Sequence, residues 1–358
     1  MMPDDTLAEH RRAGRWLAAW AAMVFLTVLI GGATRLTESG LSITEWKPVS
    51  GIVPPLSEAD WQAEFAKYQQ IPEYQQLNRG MSLADFKRIF LWEYGHRVWA
   101  RLVGLAFAVP FLWFLWRRRL DPAIRGRLWL VLVLTGLQAA MGWYMVKSGL
   151  SERTDVSQYR LAAHLALALV IYLVTIWTAA DLLRRDAEPL AAPAGLRSWA
   201  LALAGLTFVT AVAGAFVAGL DAGRAYNTFP LMGGRVVPAG YLQLAPWWRN
   251  FFEHVPTVQF NHRLLGVGTV LLALALWRRA RASRHPTGRP SALPAVIAAV
   301  ALFQLGLGIA TLLLAVPVAL GVLHQAGAVA LLTAAVLLVH RLRRDPWRLS
   351  AIAAPSWA

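Results

Sequence analysis

The sequence predicts an all-α membrane protein whose eight transmembrane helices form two pseudo-symmetric four-helix bundles. Three observations carry that prediction: composition, the lengths of the apolar runs, and an internal repeat. Of 358 residues, 57% are hydrophobic and 15% charged, which is too apolar for an ordinary soluble domain. A helix needs about 20 apolar residues to cross roughly 30 Å of hydrocarbon. Runs near 16–35, 97–116, 127–146, 161–180, 198–220, 260–277, 292–314 and 318–340 meet that length.

Charge sets the direction of the spans. Lys+Arg number 35 against 20 Asp+Glu, and the excess falls in short clusters at every second connection. These are Arg11, Arg12 and Arg15, then "RRRLDPAIRGR", Arg184 and Arg185, "RRARASRHPTGR" and "RLRRDPWR". The positive-inside rule puts those clusters and both termini in the cytoplasm, and a bacterial inner membrane fits best. Clusters between apolar runs are not a nucleic-acid surface, so no nucleic-acid partner is expected. There is no cysteine, which removes disulfides, zinc-thiolate sites, iron-sulfur clusters and c-type haem attachment. The start, "MMPDDTLAEHRRAGRWL", lacks a signal cleavage pattern, so the first run is expected to stay in the protein.

The longest outer connection, 36–92, contains "LSEADWQAEFAKYQQIPEYQQLN", where Trp61, Phe65 and Tyr68 recur at helical spacing. That pattern predicts an amphipathic helix on the outer interface. "MSLADFKRIF" offers Ser82 as an N-cap with Asp85 three residues on, so a helix begins near 82 and runs into the second span. The tryptophans, 17 in all, read first as an interfacial belt.

The two halves repeat. "EYGHRVWARLVGL" aligns with "QFNHRLLGVGTVL", placing His96 against His262, and "LQAAMGWYMV" with "FQLGLGIATL", placing Gln138 against Gln304 and Gly142 against Gly308. His164 then matches His324 after a change in loop length, and "GGATRLTESGL" resembles "AGAFVAGLDAG". An even number of spans per half makes the repeats parallel. The halves are taken as 1–190, with the long outer loop, and 191–358.

Of eight histidines, His10, His285 and His340 fall on the cytoplasmic side and His254 in an outer loop. His96, His164, His262 and His324 all sit near the outer starts of spans 2, 4, 6 and 8. Two neutral imidazoles facing one another across a bundle suit the axial positions of a haem iron. Zinc or copper fits less well, since each half offers only two nitrogens at that depth, and imidazole proton relay is a further reading. Each of these residues has a plainer role: a lone histidine at a span end is commonly interfacial, Arg97 and Arg263 could snorkel or pair with propionates, and Gln138 and Gln304 could tie helices together. The duplication favours ligation.

The halves differ at one chemically telling place. Glu93 stands three residues before His96, while the equivalent before His262 is Gln259. On a helix Glu93 shares a face with His96, where a carboxylate can act as general acid or base and an amide cannot. The plainer alternative is an ion pair with Arg97 at i,i+4. The difference predicts one reactive site, in the N-terminal half, and one electron-carrying site.

"GGATRLTESGLSITEWKPVSGIVPP", "FKRIFLWEYGHRVWARLVG", "DAGRAYNTFPLM" and "FNHRLLG" together resemble haem A synthase in its alphaproteobacterial and mitochondrial form, over about residues 15–340. The resemblance implies an enzyme that converts haem O to haem A for cytochrome oxidase biogenesis, oxidising a ring methyl (C8) to formyl with oxygen from water. It implies a substrate site at His96 and His164 with Glu93 required for activity, and haem b held by His262 and His324. Some members carry cysteine pairs in outer loops; this chain has none. The implied partners are haem O, membrane lipid, a haem O synthase, cytochrome oxidase assembly factors and an electron acceptor the sequence does not name, with a homo-oligomer among the states left open. The competing readings are a non-catalytic dihaem b-type electron-transfer cytochrome, which leaves Glu93 unexplained, and a transporter, for which the spans lack acidic residues.

Overall fold

The computed structural model describes residues 4–47, 50–152, 154–183, 195–282 and 292–343. Arg184, Arg185, His285 and the proposed boundary at 190 lie outside those residues. Among the described residues the chain is helical with no strand, and the elements in order are α1 (Asp4–Leu36), α2 (Glu58–Tyr68), α3 (Pro72–Gln76), α4 (Leu83–Trp116), α5 (Pro122–Glu152), α6 (Gln158–Leu183), α7 (Leu196–Gly219), α8 (Asn250–Glu253), α9 (Val255–Ala282), α10 (Leu293–Leu313) and α11 (Val318–Arg341). Eight of them, α1, α4, α5, α6, α7, α9, α10 and α11, are long and apolar enough to span a membrane.

The first bundle is α1, α4, α5 and α6; the second is α7, α9, α10 and α11. They join through two equivalent seams, α1 against α11 and α7 against α6, with α6 and α11 meeting between them. A first helix packed on the other half's last helix, twice over, is what an approximate two-fold axis produces. At the seam, Tyr172 and Thr333 share a hydrogen bond of 2.9 Å.

The basic ends of the helices gather on one side. Arg119 reaches Glu9 (3.4 Å), while Arg127 and His340 both bind Asp181 (2.5 and 2.8 Å). The tight apolar packing sits toward this side. Leu17, Trp20, Phe107, Phe111 and Leu128 fill the first bundle, and Leu203, Leu276, Ile297 and Leu338 the second. Each bundle is therefore sealed at its basic end, and the histidines occupy the other.

Two tryptophans of α1 turn toward α4, Trp20 into the core and Trp16 half-buried at its edge. Trp20 is 1% exposed, and its indole N–H donates to Val103 O at 2.8 Å; Trp16 donates to Ala106 O at 3.0 Å. A ring of this size fills the bundle while its N–H takes a partner, which a buried tryptophan requires. They fasten α1 to α4.

The outer connection folds as a small cap on α4. Ser57 and Asp60 form a reciprocal capping box that starts α2, and Ser82 accepts from Asp85 N to start α4. The stripe Trp61, Phe65 and Tyr68 is present, but it packs on Phe86 and Phe90 of α4 rather than facing outward. Protein takes the place that lipid holds in an interfacial helix.

Candidate functional site

His164, His262 and His324 each lie within about two turns of the start of α6, α9 and α11. His96 lies further along α4, because α4 begins outside the apolar span, at Leu83. Each ring meets a glycine of a neighbouring helix. A Cβ would come within 3.5 Å of His96 Nε2 at Gly31, 3.2 Å of His164 Cε1 at Gly142, 3.1 Å of His262 Cε1 at Gly214 and 2.7 Å of His324 Cε1 at Gly308. At Gly142, Gly214 and Gly308 even alanine crowds the ring, most of all at Gly308, so glycine is what admits the imidazole there. The repeat is thus visible in space. It also corrects one detail of the sequence alignment: Gly31 corresponds to Gly214, one residue off the pairing of "GGATRL" with "AGAFVA". Glu38 and Asp221, which end the two first helices in left-handed conformation (φ 53° and 48°), keep the same shifted register.

The His262 and His324 rings stand with centroids 6.4 Å apart and planes at 88°. Two imidazoles that bind one metal from opposite sides, each nitrogen about 2.0 Å from it, place their centroids roughly 6.3 Å apart. The separation therefore fits an ion between them. In the first half, His96 and His164 are within electrostatic reach of one another. Among the described residues no three His, Cys, Asp or Glu side chains cluster as a metal site. Two nitrogen donors per half, glycine-lined and without a third ligand, suit a metal whose other positions are filled by a macrocycle, as in haem.

Gln138 and Gln304 reach the second histidine of each pair. Gln138 Nε2 donates to His164 O (3.1 Å) and lies 3.2 Å from its Nδ1; Gln304 Nε2 donates to His324 O (2.7 Å) and lies 3.1 Å from its Nδ1. They tie helices, as expected, and they do so at the ligand positions.

Glu93 is 2% exposed and both its oxygens are engaged. Oε2 accepts from Ser42 Oγ and Ile43 N, each at 2.7 Å, and Oε1 accepts from Arg97 Nη2 and Nε at 2.6 and 3.0 Å. Arg97 also donates to Ile43 O (3.0 Å) and Glu45 O (3.3 Å). The pair fastens the loop after α1 onto α4. In the other half Gln259 Nε2 donates to Tyr226 O (3.1 Å), and Arg263 donates to Tyr226 O and Thr228 O, both at 2.8 Å. Both arginines hold loop carbonyls; neither has the snorkelling geometry the sequence allowed for. The Glu/Gln difference matches the backbone each side chain meets, an N–H at Ile43 and a carbonyl at Tyr226.

Sequence reasoning missed a second buried carboxyl. Glu73 in α3 is 5% exposed; it accepts from Tyr68 Oη (3.2 Å) and Asn78 Nδ2 (3.4 Å). Burial pushes it up to about 8; Tyr68's hydrogen bond opposes that shift, and the nearby charges of Glu93, Glu38 and Asp155 add to it. Nothing in "IPEYQQLN" marks it, because a five-residue helix has no periodicity to read. Of the other histidines, His254 is held by Thr257 Oγ1 (2.8 Å) and Gln243 (2.9 Å), and His10 lies 3.5 Å from Asp121. With His340 on Asp181, these described histidines are held by contacts other than those of the two pairs.

Fold and site together define a class: a multi-pass α-helical membrane protein with a duplicated bundle, each copy presenting two imidazoles that can ligate a haem iron. Comparison with known proteins narrows the class. The sequence profile of the family described as cytochrome oxidase assembly protein matches residues 14–336, and the chain belongs to that family. Relatives named Heme A synthase include that of Parvibaculum lavamentivorans, 49% identical over 95% of this chain and 97% of its own. Those of Nitrosospira multiformis and Rhodopseudomonas palustris strain TIE-1 are 47% and 51% identical, covering 96% and 89% of this chain and 96% and 86% of theirs.

Proposed function

We infer that this protein is the membrane enzyme that converts haem O to haem A for cytochrome oxidase assembly. The observation that carries the reading is near-full-length identity of about one residue in two with proteins named Heme A synthase, joined to two imidazole pairs in a bundle. The substrate haem O binds in the N-terminal half between His96 and His164, and haem b is resident in the C-terminal half between His262 and His324. The haem b iron supplies one-electron redox chemistry. The protein sits in a bacterial inner membrane with both termini cytoplasmic, an orientation that the basic clusters at its helix ends support.

Oxidising a methyl to a formyl with oxygen from water passes through the alcohol and then the geminal diol, the aldehyde's hydrate, which loses water; it releases four electrons and four protons in all. Groups near the substrate must accept those protons. Glu93 stands one turn before His96 on α4, and its two oxygens accept from four donor atoms. A donor must leave before a substrate group can reach Oε2. Ser42 is the donor that can leave, since its hydroxyl has other acceptors in Ser39 O (3.1 Å) and Ile89 O (3.4 Å). Water or alcohol taking Ser42's place on Oε2 would meet a carboxylate oriented by Arg97 and ready to take a proton.

The test is conversion by the purified protein. Haem O supplied with an electron acceptor in labelled water should yield haem A carrying labelled formyl oxygen. Extraction of haem b alone, with no conversion, would instead leave the dihaem cytochrome.

A further inference from the structure

We propose that Gln138 and Gln304 are positioning residues that fix the ring orientation and the proton of His164 and His324, holding Nδ1–H so that Nε2 is presented bare to the metal. The proposal rests on the haem-ligand reading above and deepens it.

A neutral imidazole carries a single N–H. If one ring nitrogen binds a metal, the other must carry that proton and needs an acceptor, and the acceptor then sets both tautomer and ring angle. In the C-terminal half the amide is already at Nδ1, 3.1 Å for Gln304; in the N-terminal half Gln138 Nε2 lies 3.2 Å from both ring nitrogens of His164, and the turn of its amide selects Nδ1. In each half its Nε2 is committed to the same histidine's backbone carbonyl, and in each half its Oε1 is buried without a partner.

Tying helices accounts for the bond to the carbonyl. It does not account for a buried acceptor left unpaired, twice, at equivalent places. An orphaned amide oxygen is costly inside a protein. Turning the amide so that Oε1 meets Nδ1–H while Nε2 keeps the carbonyl satisfies both ends. The partner that makes this favourable is a protonated Nδ1, which is the state a metal on Nε2 enforces.

The same helix face supplies the room. Gly142 and Gly308 follow the glutamines by one turn, and it is their missing Cβ that lets the ring edge approach. Gln-x-x-x-Gly on α5 and α10 therefore works as a unit, the glycine admitting the ring and the amide orienting it. No glutamine stands at His262, whose neighbouring acceptor is a backbone group, Thr210. At His324 an accepted Nδ1–H pushes electron density toward the metal and makes the ring a more basic ligand.

The experiment uses the full chain purified with its haems, reading haem occupancy and the midpoint potential of the C-terminal haem. In Gln304→Leu the haem is retained and the potential rises, since the oxidised iron loses a more basic ligand; in Gln304→Glu, a stronger acceptor, the potential falls. Gln138→Leu leaves that potential unchanged and shifts the absorption spectrum of haem O bound in the N-terminal half. If Leu and Glu move the potential in the same direction, or neither moves it with haem retained, the glutamine is only a helix tie and the proposal is overturned. Should Gln304→Leu not accumulate, Gln304→Met, unbranched and of similar length, gives the same reading. His324→Ala separates the two levels: a C-terminal haem kept with an unchanged spectrum would sink the ligand assignment itself, whatever the glutamine variants do.

Discussion

In the N-terminal half the residue three before the first histidine accepts hydrogen bonds from the loop above it; in the C-terminal half the same position donates one. Glu93 takes Ile43 N and Ser42 Oγ, whereas Gln259 gives its amide N–H to Tyr226 O. Arg97 and Arg263, one position past each histidine, grip loop carbonyls in both halves. The latch is therefore common to the two halves and its charge is not. Duplication preserved a way of closing a loop over an imidazole pair. Divergence placed a carboxyl group in one copy, beside the pair we assign to the substrate.

The largest effects should come from the imidazoles. His164→Ala is expected to abolish conversion while the C-terminal haem and its spectrum remain, and His324→Ala to lose that haem; pigment extraction of both variants checks this. Next is Glu93→Gln, which copies the C-terminal residue into the N-terminal half. Conversion should fall by about 10²–10⁴-fold, the range of general acid–base catalysis, with the C-terminal spectrum unchanged. Full activity in that variant would reduce Glu93 to a loop fastener.

The latches themselves should differ in strength. Arg97→Leu strands a buried carboxylate, a loss of about 3–5 kcal/mol for a broken buried pair. Arg263→Leu strands only carbonyls, at about 1–3 kcal/mol. Thermal unfolding in detergent should rank Arg97→Leu well below Arg263→Leu; the reverse order would mean that the Glu93 contact does not make the N-terminal latch the stronger one.

The smallest effect concerns the cap, which the C-terminal half does not share. The Glu73 carboxyl ionises near its ordinary 4.5 when unfolded, and only near about 8 in the fold. Between those values the folded state holds the extra proton, so the cap loses stability as pH rises through the window and levels off above it. Glu73→Gln should flatten this dependence, read as unfolding temperature of the two proteins at about pH 5, 7 and 8.5. An equal pH dependence in both would remove Glu73 as its source.

The spans, their number and their pairing into halves were legible because apolar length and repetition are properties of the sequence itself. So were the capping of α4 at Ser82 and the four histidines, since duplication singles them out. The destination of side chains was less legible. Trp16 and Trp20 look interfacial by position, yet Trp20 is core and Trp16 is half-buried against it, because a helix end can face a neighbour as readily as lipid. Arg97 offered the choice of carboxylate, propionate or water, and only the fold brings Ile43 and Glu45 to it. Glu73 carried no signal at all, its burial being a product of Tyr68, Asn78 and α4 meeting in three dimensions.

The central claim is that two like imidazole pairs do different work, the first turning over haem O and the second holding haem b. Haem extraction from His164→Ala and His324→Ala, each purified from cells that make haem O, tests it most directly. The account predicts haem b without haem O or haem A from the first, and loss of haem b from the second. Haem b retained by both, or lost from both, would contradict it.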